Sequence, residues 1–134
     1  MELKVSTENG RVPVTVLHVK GNIDSGSYED FEYQVDKLIK DGARYILIDL
    51  AQTPFVSSAG LRALQYIFKQ LHSLHSDANL NTEDTKQGIR AGTYKSSYLK
   101  LLNLSPEIRT IFETSGFDMY MEMFNDLETA IASF

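Results

Sequence analysis

Hydrophobic and polar positions alternate at the start of the chain: Leu3 and Val5 stand among polar neighbours, and so do Val12, Val14 and Val16. That spacing is what a half-buried strand requires, and the Asn9-Gly10 pair between the two runs suits a type I′ turn, so the opening predicts a β-hairpin. The period then lengthens. Tyr28, Phe31, Val35, Leu38 and Ile39 recur at helical spacing, with Ser27 as N-cap, Asp30 at the capping-box position and Gly42 beyond the end, which predicts an amphipathic helix. Tyr45-Ile46-Leu47-Ile48-Asp49-Leu50 is almost continuously apolar, as a strand buried on both faces of a sheet must be. Beyond Pro54, Leu61, Leu64, Phe68 and Leu71 form a second helical stripe that ends near His72.

From Ser73 to Ser97 apolar residues thin out and Asn, Thr, Asp, Glu, Lys, Gln and Gly dominate. This predicts a polar insertion at about 75–97, longer than most connections in compact domains. Tyr98–Leu104 then reads as a strand, and Ser105 as an N-cap with Pro106 at the first helical position. Ile108, Ile111 and Phe112 give that short helix one apolar face, with Gly116 past its end. Met119, Met121 and Met123 alternate as one core-facing side of a strand, and Asp126 caps a terminal helix with Leu127, Ala130, Ile131 and Phe134 inward. Strands alternating with helices imply an α/β fold: a mostly parallel or mixed central sheet with an N-terminal hairpin and helices packed on it. The expected organisation is one domain over 1–134.

Composition narrows the function mainly by exclusion. With 43% hydrophobic and 23% charged residues the chain has the makeup of a packed globular domain. It has no cysteine, so a disulfide framework, a thiolate zinc site and a cysteine nucleophile are excluded and a cytoplasmic setting is expected. Lys and Arg total 13 against 18 Asp and Glu, a net charge of -5, which opposes nucleic-acid binding by counterion release. No basic leader and no apolar run of about 18 residues occurs, so no membrane partner is expected. Phosphate-loop, dinucleotide, zinc-protease and nucleophile-elbow patterns are absent, and the chain is expected to be neither an enzyme nor the holder of a cofactor. His72 and His75, with Asp77 as the nearby carboxylate, read as solvated side chains and not as metal ligands. Asn103-Leu104-Ser105 fits a glycosylation sequon but reads better as a helix cap.

Binding sites in open α/β sheets gather where strand ends lead into helix N-termini, and two such places stand out. Gly21-Asn22-Ile23-Asp24-Ser25-Gly26-Ser27 leads into the first helix and carries Asp24. The second place is Phe55-Val56-Ser57-Ser58-Ala59-Gly60-Leu61-Arg62, where paired hydroxyls stand at the start of the second helix. A phosphate there would meet free backbone N–H groups and the positive end of the helix dipole. On residue type alone, Ser57 and Ser58 read as helix caps ahead of phosphorylation sites, and Asp24 as a turn residue.

Asp49-Leu50, four residues, then Phe55-Val56-Ser57-Ser58-Ala59-Gly60-Leu61 resembles the signature of STAS domains, the family that includes the anti-sigma factor antagonists. Gly21-Asn22-Ile23-Asp24 resembles the family's first strand-end loop, and Leu104-Ser105-Pro106-Glu107-Ile108-Arg109 with Thr114-Ser115-Gly116-Phe117 resembles its last third. The resemblance implies a STAS-like fold and a protein-interaction module whose partner is an anti-sigma serine kinase, with a phosphatase as a further candidate partner. The kinase is captured by the unphosphorylated form, which frees a sigma factor. The position matching the family's phosphorylated residue is Ser58. Ser57 occupies the place where the family often has Asp, which leaves Ser57 as an alternative acceptor. The implied docking surface comprises Asp24, Phe55, Val56, Ser57, Ala59, Gly60, Leu61 and Arg62. Two other readings of the same residues stand beside it: a nucleotide- or lipid-binding or scaffold module, and hydrolysis through Ser57 or Ser58.

Overall fold

The computed structural model describes residues 1–75 and 95–134. Strands β1 (Glu2–Asn9) and β2 (Pro13–Lys20) pair antiparallel in unbroken register from Glu2 opposite Lys20 to Asn9 opposite Pro13. The hairpin is there, but its turn is not type I′. Gly10, Arg11 and Val12 lie between the paired residues, and neither Asn9 nor Gly10 has the positive φ that a type I′ turn demands. Gly10 answers a different constraint: a Cβ on it would stand 2.9 Å from Ile131 Cγ2 in the terminal helix.

Helix α1 (Tyr28–Lys40) buries Phe31, Val35 and Ile39. Its expected cap is not made. Ser27 Oγ donates to Asn22 O at 2.8 Å and accepts from Asp24 N at 3.0 Å, so it braces the preceding loop, and Asp30 accepts from Gln34 instead of closing a capping box.

Strand β3 (Ile46–Gln52) follows, with Ile46, Leu47, Ile48 and Leu50 fully buried. Helix α2 (Ser58–Leu74), β4 (Leu99–Leu102), α3 (Pro106–Thr114), β5 (Met123–Phe124) and α4 (Leu127–Ala132) complete the described elements. The sheet order is β1-β2-β3-β4-β5, antiparallel in its first pair and parallel in the rest, which is the mixed α/β architecture expected. β4 is shorter than its apolar run, with Tyr98 and Leu104 outside it, and β3 is shifted along its run, starting after Tyr45 and continuing through Ala51 and Gln52. Asn103 adopts φ 60°, a left-handed turn that ends β4.

Alternation sorts the side chains onto two faces. Leu17, Val19, Ile46, Ile48, Leu50, Leu99 and Leu101 meet Phe31, Val35, Leu64, Ile67, Leu71, Ile108 and Phe112 in the main core. On the other face Val14, Val16, Leu47 and Leu102 pack with Ala130 of α4, flanked by Ile131 and Phe134. Leu127, expected inward, is 37% exposed.

The methionine run is not one strand. Phe117–Met119 forms a 3₁₀ turn after Gly116, whose φ of 81° starts it, and β5 begins only at Met123. Met121 is buried while Met119 is 36% exposed. The alternation arises across a turn, where spacing along the sequence no longer measures spacing across a face.

The insertion expected at about 75–97 falls mostly outside the described residues, but its two ends are held. His75 stacks on Tyr98 with ring centres 3.4 Å apart and bonds Arg44 O at 2.9 Å. His72 stacks on Phe68 and meets Ser96 Oγ at 2.8 Å. Both histidines, expected to be solvated, are packed parts of this base, because the chain returns to β4 beside the end of α2. Among the described residues no helix is long and apolar enough to cross a membrane.

Candidate functional site

Beyond the ends of β2 and β3 the backbone keeps pairing. Gly21 N donates to Gln52 O at 2.9 Å, Ile23 N to Phe55 O at 3.1 Å and Ser57 N to Ile23 O at 2.9 Å, with Ile23 and Val56 bridged in parallel. Buried Thr53 adds an Oγ1 bond to Val19 O at 3.0 Å. The two strand-end loops singled out in the sequence are thereby laced into one surface, and α2 starts from it. Gly60 makes this approach possible: a Cβ there would lie 2.3 Å from Ile23 O and 2.9 Å from Val56 Cγ1.

The paired serines do different jobs. Ser57 is half-buried and is the N-cap of α2, with extended backbone and its Oγ accepting from Gly60 N at 3.3 Å. Ser58 is the first helical residue, exposed, and its hydroxyl has no hydrogen-bond partner among the described residues. At this first turn the backbone N–H groups of Ser58 and Ala59 have no acceptor within the helix. α2 also carries no acidic residue in its first turn, whereas α1 has Glu29 and Asp30, α3 Glu107 and α4 Glu128. The positive end of its dipole is therefore uncompensated by its own side chains.

Phe55 is 48% exposed beside this turn, and Arg62, four residues after Ser58 and exposed, lies on the same side of the helix. Arg62 also reaches the start of α1 electrostatically. The Tyr28 hydroxyl is raised from its ordinary pKa by a hydrogen bond to Glu29 and by the Glu29 charge, with Arg62 opposing.

Asp24 is half-buried, and its Oδ1 accepts from Gly26 N at 3.0 Å, an Asx turn that shapes the first loop. The turn role is thus real, and it holds Asp24 on the rim next to Ile23. Val56, Ala59 and Gly60, expected in the docking surface, are buried. Their part is to seat α2 against the first loop. The exposed side chains here are Phe55, Ser58 and Arg62, with Asp24, Ser57 and Leu61 half-exposed around them.

Sequence reasoning missed one polar assembly. On the face opposite α2, Ser6 Oγ meets His18 Nε2 at 3.1 Å and His18 Nδ1 meets Asp49 Oδ2 at 2.8 Å, while Ala51 N and Asn103 Nδ2 bond Asp49 Oδ1 at 3.0 and 3.3 Å. The string links β1, β2, β3 and the end of β4. No motif spacing could reveal it, because sheet register, with His18 opposite both Lys4 and Asp49, creates it. Its order resembles a serine triad, yet sheet backbone donors point along the sheet and not out of its face, so the sheet itself offers Ser6 no oxyanion hole. The hydrolytic reading of Ser57 and Ser58 gains nothing from it, since this histidine is committed on the other side of the sheet.

Comparison with known proteins bears on the family and the fold. The STAS domain family model matches residues 4–77, more than half of the chain. A candidate anti-sigma factor antagonist, BtrV of Bordetella bronchiseptica, is 28% identical over 116 residues, covering 87% of this chain and 82% of that one. In fold, the chain is similar to a candidate anti-sigma factor antagonist of Thermotoga maritima, with a TM-score of 0.71, 13% identity, and 96% and 90% of the two chains covered. It is also similar to the Bacillus cell fate determinant SpoIIAA in its phosphorylated form, with a TM-score of 0.62, 20% identity, and 97% and 96% covered.

Proposed function

This chain belongs to the STAS domain family, and from that premise we propose that it is an anti-sigma factor antagonist controlled by phosphorylation of Ser58. Unphosphorylated, it captures an anti-sigma serine kinase through Phe55, Ser58 and Arg62 with Asp24 on the rim, and so frees a sigma factor. The kinase then phosphorylates Ser58 and capture ends; a phosphatase restores the binding form. The whole of 1–134 acts as one binding domain without catalysis of its own.

The observation that carries this reading is the division of labour between the serines: Ser57 is engaged as the cap, while Ser58 stands exposed at the first turn of a helix with no acid there. A phosphoserine adds about -1.5 to -2 charges. At a helix N-terminus that charge meets N–H groups and a favourable dipole, so the fold tolerates it. At an interface the same charge, unpaired or facing like charge, costs about 2–5 kcal/mol, or roughly 30-fold to several thousandfold in affinity. One modification therefore acts on the partner and spares the protein.

Titration of the kinase with Ser58→Ala and Ser58→Asp variants tests this. The Ala variant is expected to bind and to resist release by ATP, and the Asp variant to lose binding. Equal affinities for both would remove Ser58 from the switch.

A further inference from the structure

Among the described residues the sheet ends at β1, which pairs with β2 along one edge and with no strand along the other from Glu2 to Asn9. Sheet edges are ordinarily protected by bulges, prolines, very short strands or charged side chains, and of these β1 has only the charges Glu2, Lys4 and Glu8, which a matched partner strand can pair. β1 has eight residues, no proline and no bulge in its register. Beside it, Val5 is 46% and Tyr33 of α1 68% exposed, and the two lie on a shallow groove with Leu3, Lys37 and Leu38. We propose that this edge pairs antiparallel with β1 of a second copy, making a symmetric dimer with one continuous sheet.

Charge complementarity and paired length together select the occupant and the register: an axis at Leu3 would also set Glu2 opposite Lys4 twice, but it leaves residues 6–9 unpaired. A two-fold axis through an antiparallel pair sets a residue opposite its own copy. With the axis at Lys4, two ammonium groups face each other; with the axis at Val5, Glu2 of each copy faces Glu8 of the other. With the axis at Ser6, Lys4 of each copy faces Glu8 of the other, Val5 faces Thr7, and Ser6 faces Ser6. This last register has two opposite-charge cross-strand pairs and no repulsive pair. It places Lys4, Ser6 and Glu8 on the face that carries His18, and Val5 with Tyr33 on the α1 face, so the exposed apolar residues are covered where the two copies meet. The opposite edge, β5, is only two residues long, so the pairing closes as a dimer and does not propagate.

Because the axis reverses the sheet, the two Ser58 sites sit at opposite ends of the dimer, both uncovered. Capture of a partner through one Ser58 leaves the other available.

Sedimentation velocity over a concentration series tests the proposal. The natural chain is expected to dimerise at about 100 µM. Glu8→Lys, which turns both Lys4–Glu8 pairs repulsive, is expected to weaken dimerisation about tenfold or more. The double variant Lys4→Glu/Glu8→Lys is expected to restore it, as only swapped pairs can. Both substituted positions are exposed, and circular dichroism checks that each variant is folded. A monomer at about 100 µM, or a double variant as weak as Glu8→Lys, would overturn the assignment.

Discussion

Helices α2 and α3 start in the same way and end up with different properties. Each has a serine N-cap with extended backbone whose hydroxyl accepts the N–H three residues on, at 3.3 Å from Gly60 in α2 and 3.2 Å from Ile108 in α3. After the cap they diverge. α3 continues with Pro106, whose fixed φ suits the first helical position, and Glu107, whose charge offsets the dipole. α2 continues with an exposed hydroxyl, no acid, and a glycine where α3 has a fully buried isoleucine. One start is completed by its own side chains, and the other leaves its dipole and N–H groups for something added later. The difference teaches that capping alone does not mark a functional helix start. On the proposed function, what marks it is the compensation that is missing after the cap, combined with tight seating against a neighbouring loop.

Substitutions at matched positions should separate the two starts. The largest stability effect is expected in α3: Ile108→Ala removes a fully buried side chain and should cost about 2–5 kcal/mol in urea unfolding. Gly60→Ala should cost about 1–3 kcal/mol in the same assay. The added methyl lies 2.3 Å from Ile23 O, and that overlap outweighs the gain of roughly 0.5–1 kcal/mol that alanine normally brings to a helix. Because the overlap pushes apart the two loops that frame Ser58, this variant should also be a poorer kinase substrate at temperatures where it is folded. A neutral Gly60→Ala would show that the seating is loose.

The caps themselves should be equal. Ser57→Ala and Ser105→Ala should each lower stability by about 1 kcal/mol, and a large gap between them would mean that the resemblance of the two starts is superficial. The smallest stability change is reserved for the residue with the largest functional one. Ser58→Asp places an anion on an uncompensated N-terminus and should raise stability by about 0.3–1 kcal/mol in thermal unfolding, while kinase affinity falls at least roughly 30-fold. A loss of both together would make the effect one of folding and not of switching.

Much of this contrast was legible in the sequence. Apolar periodicity located the helices and the buried β3, and the run from Phe55 to Arg62 located the start of α2, because local chemistry determines these features. The resemblance pointed to Ser58 and kept Ser57 as the alternative, but which of the two serines caps could not be read, since either can and only backbone geometry shows which one does. The features that failed were decided by tertiary contact. Asn9-Gly10 lost its type I′ turn where Gly10 passes under Ile131. Ser27 bonds Asn22 and Asp24 instead of the helix it precedes. The methionines alternate through a 3₁₀ turn. Val56 and Ala59, adjacent in sequence to exposed site residues, turned out to hold the site from beneath. The Ser6–His18–Asp49 string depends on a register that no single segment encodes.

The central claim is that the open hydroxyl at the first turn of α2 is the residue that switches. The most direct test incubates the protein with ATP and the anti-sigma kinase it binds, then takes the intact mass and maps the modified peptide. The account predicts one added phosphate, on Ser58. A phosphate on Ser57, or none on a protein that the kinase demonstrably binds, would contradict it.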